Sequence, residues 1–113
     1  MRQITKEAVS AFIAGTKLNK ANMRVFHDAD GSHMLLHGNP VGFKDIAGNY
    51  WISNAGWPTV TTKERLNGLI EVLGKSKGLE PRAMGKAKIF QKDFEWYWKE
   101  TNESFPHNEF VRI

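Results

Sequence analysis

The 113 residues hold 16 Lys and Arg against 12 Asp and Glu, a formal net charge of +4, with 41% hydrophobic residues, 25% charged residues and no cysteine. That is the size and balance of one globular domain over 1–113, and it excludes a disulfide scaffold, a thiolate metal site and a Cys nucleophile. The chain reaches the charged pair Lys6-Glu7 before any apolar stretch of signal-peptide length, and no run of about 18 apolar residues follows, so a soluble intracellular protein without membrane contact is expected.

In chain order, the first predicted element is a short amphipathic helix, with Thr5 placed to cap it, Val9, Phe12 and Ile13 on one face, and Gly15 at its end. After the polar stretch from Thr16 to Asn22, three runs read as strands: Met23 to His27, Met34 to Phe43 and Tyr50 to Asn54. The turn-rich segments Asp28-Ala-Asp-Gly31 and Asp45-Ile-Ala-Gly-Asn49 separate them, which predicts a three-stranded antiparallel meander. Gly38, Pro40 and Gly42 inside the second run point to a bulge or an edge. A second helix opens on the capping box Thr61-Thr-Lys-Glu64, carries Leu66, Leu69, Ile70 and Leu73 at i, i+3, i+4, i+7, and is expected to stop at Gly74.

The stretch that follows contains Gly78, Pro81 and Gly85 and reads as an extended loop, entering a strand between Lys86 and Lys92. Beyond it, Phe94, Trp96 and Trp98 alternate with Glu95, Tyr97 and Lys99, the pattern of a half-buried strand, with a hairpin turn at Lys92-Asp93. The three aromatic residues at period two are assigned to the core, and Trp51 and Tyr97 to an exposed aromatic pair. Phe110 to Ile113 supplies a last short strand. The whole is an α+β domain: an antiparallel sheet of three to five strands with two helices on one face, in the order α-β-β-β-α-β with a further terminal strand. That element order resembles the double-stranded-RNA-binding-domain fold and the HicA-type toxins.

Several blocks resemble a family of small uncharacterised proteins of tailed bacteriophages. They are Thr5-Lys-Glu-Ala-Val-Ser-Ala-Phe12, Leu36-His-Gly-Asn39, Ile52-Ser-Asn-Ala-Gly-Trp57, Thr61-Thr-Lys-Glu-Arg-Leu-Asn67 and Gln91-Lys-Asp-Phe94 with Trp96-Tyr97. The resemblance implies a phage accessory protein acting in the cytoplasm of a bacterial host, and against that family the segment at about 75–88 looks like a loop insertion.

Charge is segregated. Between Lys75 and Lys92 stand six cations (Lys75, Lys77, Arg82, Lys86, Lys88 and Lys92) and one acid, Glu80, a local balance of +5, whereas the other 95 residues hold 10 basic and 11 acidic groups, or −1. Cations clustered in a loop beside a folded sheet reach several phosphates at once and release counterions, so non-enzymatic binding to nucleic-acid backbone is the first expectation, with Trp51 or Tyr97 as stacking support. The second is a protein-binding inhibitor of a host or anti-phage defence factor, with Trp57 as a partner anchor. For Trp57 itself, covering an end of the core is the preferred reading.

The third is a HicA-like ribonuclease, because Gly31-Ser-His33 resembles the strand histidine of those toxins, a general acid or base. His37 on the same strand would share a face with His33 at about 13 Å, too far for one metal. Asp28-Ala-Asp-Gly31 opens like a calcium loop, but the later ligands and the closing Glu are missing, so it is read as a turn. No metal or cofactor is expected.

Overall fold

The protein is described by a computed structural model covering residues 1–77, 89–99 and 101–113, residues 75–77 by their backbone alone. Among the described residues, two helices and eight strands follow in the order α1 (Gln3–Ala14), β1 (Leu18–Lys20), β2 (Met23–Asp28), β3 (Gly31–Leu36), β4 (Asn39–Asp45), β5 (Tyr50–Ile52), α2 (Val60–Lys77), β6 (Ile89–Lys92), β7 (Glu95–Trp98) and β8 (Val111–Arg112). Strands β1-β2-β3-β4-β5-β8 form one antiparallel six-stranded sheet, and β6-β7 a separate hairpin. The α+β class stands, with a wider sheet than the three to five strands expected.

Two of the differences arise at turns. The run from Met34 to Phe43 is not one strand but two, β3 and β4, folded back at His37-Gly38, where φ is 51° and 80° and Leu36 pairs with Asn39. Positive φ at both central residues is the two-residue turn that matches the twist of antiparallel strands, and His tolerates the left-handed region better than most side chains. His37 therefore sits in a turn and shares no strand face with His33. The expected bulge lies farther on, where Val41 is the extra residue between the pairs Met34–Gly42 and Leu35–Pro40, so that Val41 and Gly42 are both buried. A Cβ on Gly42 would come within 3.2 Å of the Met34 side chain, so glycine lets β4 cross the core closely. The polar stretch Thr16 to Asn22 also holds β1, paired to β2 through a turn at Ala21-Asn22.

The helix caps differ as well. Helix α1 begins at Gln3 with Arg2 at its N-cap and no side-chain cap. Thr5 lies inside the first turn, fully buried, and its hydroxyl is spent between the helices: it donates to Glu64 Oε1 and accepts from Arg65 Nη1 at 2.9 Å. Gly15 ends the helix as expected, at φ 80°, its N–H returning to the Ala11 carbonyl at 3.0 Å. Helix α2 is capped two residues earlier than the Thr61 box implies, by Thr59, whose hydroxyl accepts from the Thr62 N–H at 3.1 Å. Glu64 leaves the cap because α1 and Arg65 claim its carboxylate. The helix also passes through Gly74 to Lys77; a helical glycine costs about 1 kcal/mol relative to alanine but removes no hydrogen bond.

The core lies between the helices and one face of the sheet: Val9 and Phe12 of α1 and Leu66, Leu69, Ile70 and Leu73 of α2 pack with Met23, Val25, Met34, Leu36, Val41 and Ile52. Ile89, Trp96, Trp98 and Phe105 extend it under the hairpin. The Asn67 side chain ties this hairpin to α2, accepting from the Ile89 N–H at 2.8 Å and donating to its carbonyl at 3.0 Å. The tail returns as β8, as expected, and pairs with β5.

Candidate functional site

The basic segment is split by the structure. Lys75 and Lys77 fall in the last turn of α2, so the loop insertion expected at about 75–88 does not begin at 75; their side chains lie outside the described residues, as do Arg82, Lys86, Lys88 and the rest of that expected insertion, 78–88. Lys92 is exposed at the end of β6, opposite Glu95. The two residues between, Asp93 and Phe94, have φ of 52° and 68° and make the hairpin turn. Phe94 thus leaves the strand alternation: it is 90% exposed, against 4% for Trp96 and 8% for Trp98, so of the three aromatics assigned to the core only the two tryptophans belong there. Asp-Phe lacks the Gly or Asn that normally marks such a turn, and the alternation reads through it as if it were strand.

Trp51 and Tyr97 are not a pair. Tyr97 lies on the hairpin, stacked on Phe90 at 5.7 Å, with its hydroxyl donating to Glu95 Oε2 at 2.9 Å, a bond that raises the phenol above its ordinary pKa. Trp51 lies on β5 of the large sheet, its indole N–H donating to Asp45 Oδ2 at 3.1 Å. Trp57 is 58% exposed and does not close the core. It stands at the mouth of a groove of about 480 Å³ with Leu36, His37, Asn54, Thr59 and Thr62. The turn behind it is held by buried Asn54, whose Oδ1 accepts from the N–H groups of Gly56 at 2.9 Å and Asn108 at 2.8 Å.

The sheet face turned away from the core brings together residues that no sequence motif joins. Side chains alternate along each strand, so with Met23, Val25, Met34, Gly42 and Ile52 facing the helices, Arg24, Phe26, His33, Leu35, Phe43 and Trp51 face outward. Register then aligns them. Phe26 pairs with His33, His33 with Phe43, Phe43 with Trp51, and Trp51 with Arg112, a single row across five strands. The Phe26 and His33 rings stack at 4.6 Å and 13°, the Phe43 ring follows at 5.2 Å, tilted by 44°, and Phe110, 41% exposed, meets Phe43 edge-on at 6.5 Å. The Arg24 guanidinium lies 5.0 Å from the Phe26 ring centre. Arg112 donates from Nη2 to Asn49 Oδ1 at 2.8 Å, which keeps its remaining donors in one orientation. Of this row the sequence singles out Trp51, as an exposed aromatic, and His33, for another role; the missed signal was that Phe26 and Phe43 fall on the opposite alternation from Val25 and Gly42.

The acids of this face are confined to the Gly31 end of the strands. Asp28 accepts from His33 Nε2 at 2.9 Å and from the Asp30 and Gly31 N–H groups at 2.9 and 3.2 Å, and these bonds, the histidine first, hold its carboxyl below the ordinary range. The Asn49 N–H, then the Trp51 indole, lower Asp45 in the same way. His33, the residue of the nuclease reading, is thus paired with a carboxylate and set between two phenyl rings. His27 contacts Ser32 Oγ at 2.7 Å and the Thr16 carbonyl at 3.0 Å. Among the described residues no three His, Asp or Glu side chains group to hold a metal.

A protein-family model described as Kyanoviridae Gp96 protein matches residues 1–112. No curated protein and no solved structure matches the chain.

Proposed function

The chain belongs to the Kyanoviridae Gp96 protein family, a family of small phage proteins, and from that premise we propose a non-enzymatic accessory protein that binds nucleic-acid backbone in the infected bacterium. The observation that carries this reading is the charge segregation, +5 between Lys75 and Lys92 on an otherwise nearly neutral chain. Lys92, the last cation of that segment, is exposed, and Arg24 and Arg112 are exposed on the outer sheet face. Such cations bind phosphates without regard to sequence, with an affinity that falls steeply as salt rises. No helix among the described residues is long and apolar enough to cross a membrane.

Filter binding at two salt concentrations tests the proposal. Binding at low salt that weakens at high salt, and weakens again when Lys75, Lys77, Arg82, Lys86, Lys88 and Lys92 are neutralised, is expected. Absent binding at low salt, or binding indifferent to salt and to neutralisation, refutes it.

A second reading, inhibition of a bacterial host or defence protein, is favoured by the exposure of Trp57 and of Ile46, which is 85% exposed. A partner retained from nuclease-treated lysate, and lost with Trp57→Ala, supports it. For the HicA-like ribonuclease reading, RNA cleavage abolished by His33→Ala is the required result.

A further inference from the structure

We propose that the outer face of the six-stranded sheet is a stacking platform for unpaired nucleobases, with Arg24 and Arg112 holding the phosphates of a single strand. This rests on the nucleic-acid reading above and deepens it, naming the ligand as single-stranded and placing it on residues outside the basic segment.

The row Phe26, His33, Phe43, Trp51 and Arg112 crosses five strands in register, and four interstrand spacings of about 4.8 Å make it roughly 19 Å wide. All four rings are half-buried; Phe26 and His33 spend a face on each other, and Phe43 and Trp51, next to Arg112, are the rings assigned here to receive a base. Sheets of about this width stack two or three bases on such aromatic rows.

Charge selects among the ligands that an apolar face could take. The guanidinium of Arg24 already rests on an aromatic ring, the geometry in which it also stacks on a base, and Arg112 closes the other end of the row. The acids Asp28 and Asp45 stand together at the Gly31 end, so the phosphates run along the opposite side, past Arg24. A duplex cannot use this surface, because its bases are stacked on one another and expose only their edges. Only an unpaired strand offers the faces that the rings accept, each such stack commonly worth about 1–3 kcal/mol, or roughly a 5- to 150-fold change in affinity.

The experiment measures fluorescence anisotropy of a labelled 12-nucleotide thymidine strand, its uridine counterpart, and a 12-base-pair duplex at low salt. The proteins are wild type, Phe43→Leu, Trp51→Leu, Arg24→Gln and the chain neutralised at its six basic-segment cations, each checked for fold by circular dichroism. Leucine keeps apolar volume and removes the ring face, so a folded variant isolates stacking. The expected result is tighter binding of single strands than of duplex, a loss of about 5-fold or more for single strands with Phe43→Leu and Trp51→Leu, and unchanged duplex binding. Quenching of Trp51 fluorescence by the unlabelled strand, absent in Trp51→Leu, supports the same contact. Equal binding of single strands and duplex that ignores the ring variants but follows neutralisation overturns the platform and leaves the backbone reading standing. Binding of no nucleic acid at low salt overturns both.

Discussion

Gly68→Ala is the change for which two effects oppose each other most openly. Gly68 is buried in the middle of α2, where alanine is the better helix former by about 1 kcal/mol. Yet a Cβ at this position would stand 2.5 Å from Thr5 Cγ2, whereas carbon atoms pack best at about 3.5–4.0 Å, so one helix must retreat by about 1 Å. Thr5 cannot rotate aside, since its hydroxyl bridges Glu64 and Arg65, and Thr5 is itself fully buried. Overpacking of this kind costs about 1–3 kcal/mol, which exceeds the propensity gain. The net expectation is a loss of about 1 kcal/mol, or roughly 4 °C in Tm for a domain of this size.

Urea and thermal unfolding of four proteins give the answer: wild type, Gly68→Ala, Thr5→Ser and the double variant. Serine keeps the hydroxyl and removes Cγ2, so alanine at 68 should become neutral or stabilising in that background, with a coupling of about 1–2 kcal/mol. If Gly68→Ala is as stable as wild type, or if its effect is the same with serine at position 5, the close helix approach is not what glycine serves there.

Other outcomes follow from the same structure. Arg65→Met should cost about 3 kcal/mol by urea unfolding, because it strips the buried bond to Thr5 and the partners of Glu64 and Asn22; a loss under about 1 kcal/mol would show that the unpaired Nε offsets the gain. Phe94→Gly should raise stability by about 1 kcal/mol, since a 90% exposed phenyl at φ 68° carries strain without burial, and a fall in Tm would contradict that. Stability should fall on acidification. Asp28 and Asp45 are lowered by the bonds they accept; burial pushes Glu64 up, but Thr5, Arg65 and the Arg2 N–H outweigh it, leaving that carboxyl lowered too. With native values below the unfolded ones, the unfolded chain takes up protons first. The stabilisation is therefore full above the ordinary carboxylate range and disappears as pH drops through the native values. An acid limb unchanged in Asp28→Asn and Glu64→Gln would refute this assignment.

What was legible in the sequence was whatever local period decides. The apolar stripe from Leu66 to Leu73 specifies α2 by itself, and Gly15 ends α1 through backbone freedom alone. Caps were less legible, because Thr5 and Glu64 have two suitors each and the choice is made by a helix 60 residues away. The hairpin at His37-Gly38 hid inside an apolar run, as the one at Asp93-Phe94 hid inside an alternation, since neither uses the usual turn pair. The aromatic row was beyond local reading for a different reason: each of its members sits on its own strand, and only register makes them neighbours. Alternation along one strand tells which residues face outward, and it found Trp51. It does not say what lies beside that residue.

Strands β2 to β5 each pair with the strand before, through turns of a few residues, so this part of the sheet closes small loops. The exception is β8, where Arg112 must find Trp51 across 60 intervening residues. Closing so long a loop is the entropically dear and slow step of such a topology. During synthesis the rings of Phe26, His33, Phe43 and Trp51 can therefore assemble while the chain is still being made. Phe110 and Arg112 follow Trp51 by about 60 residues, and a chain lacking them would hold an aromatic surface with one cationic border missing.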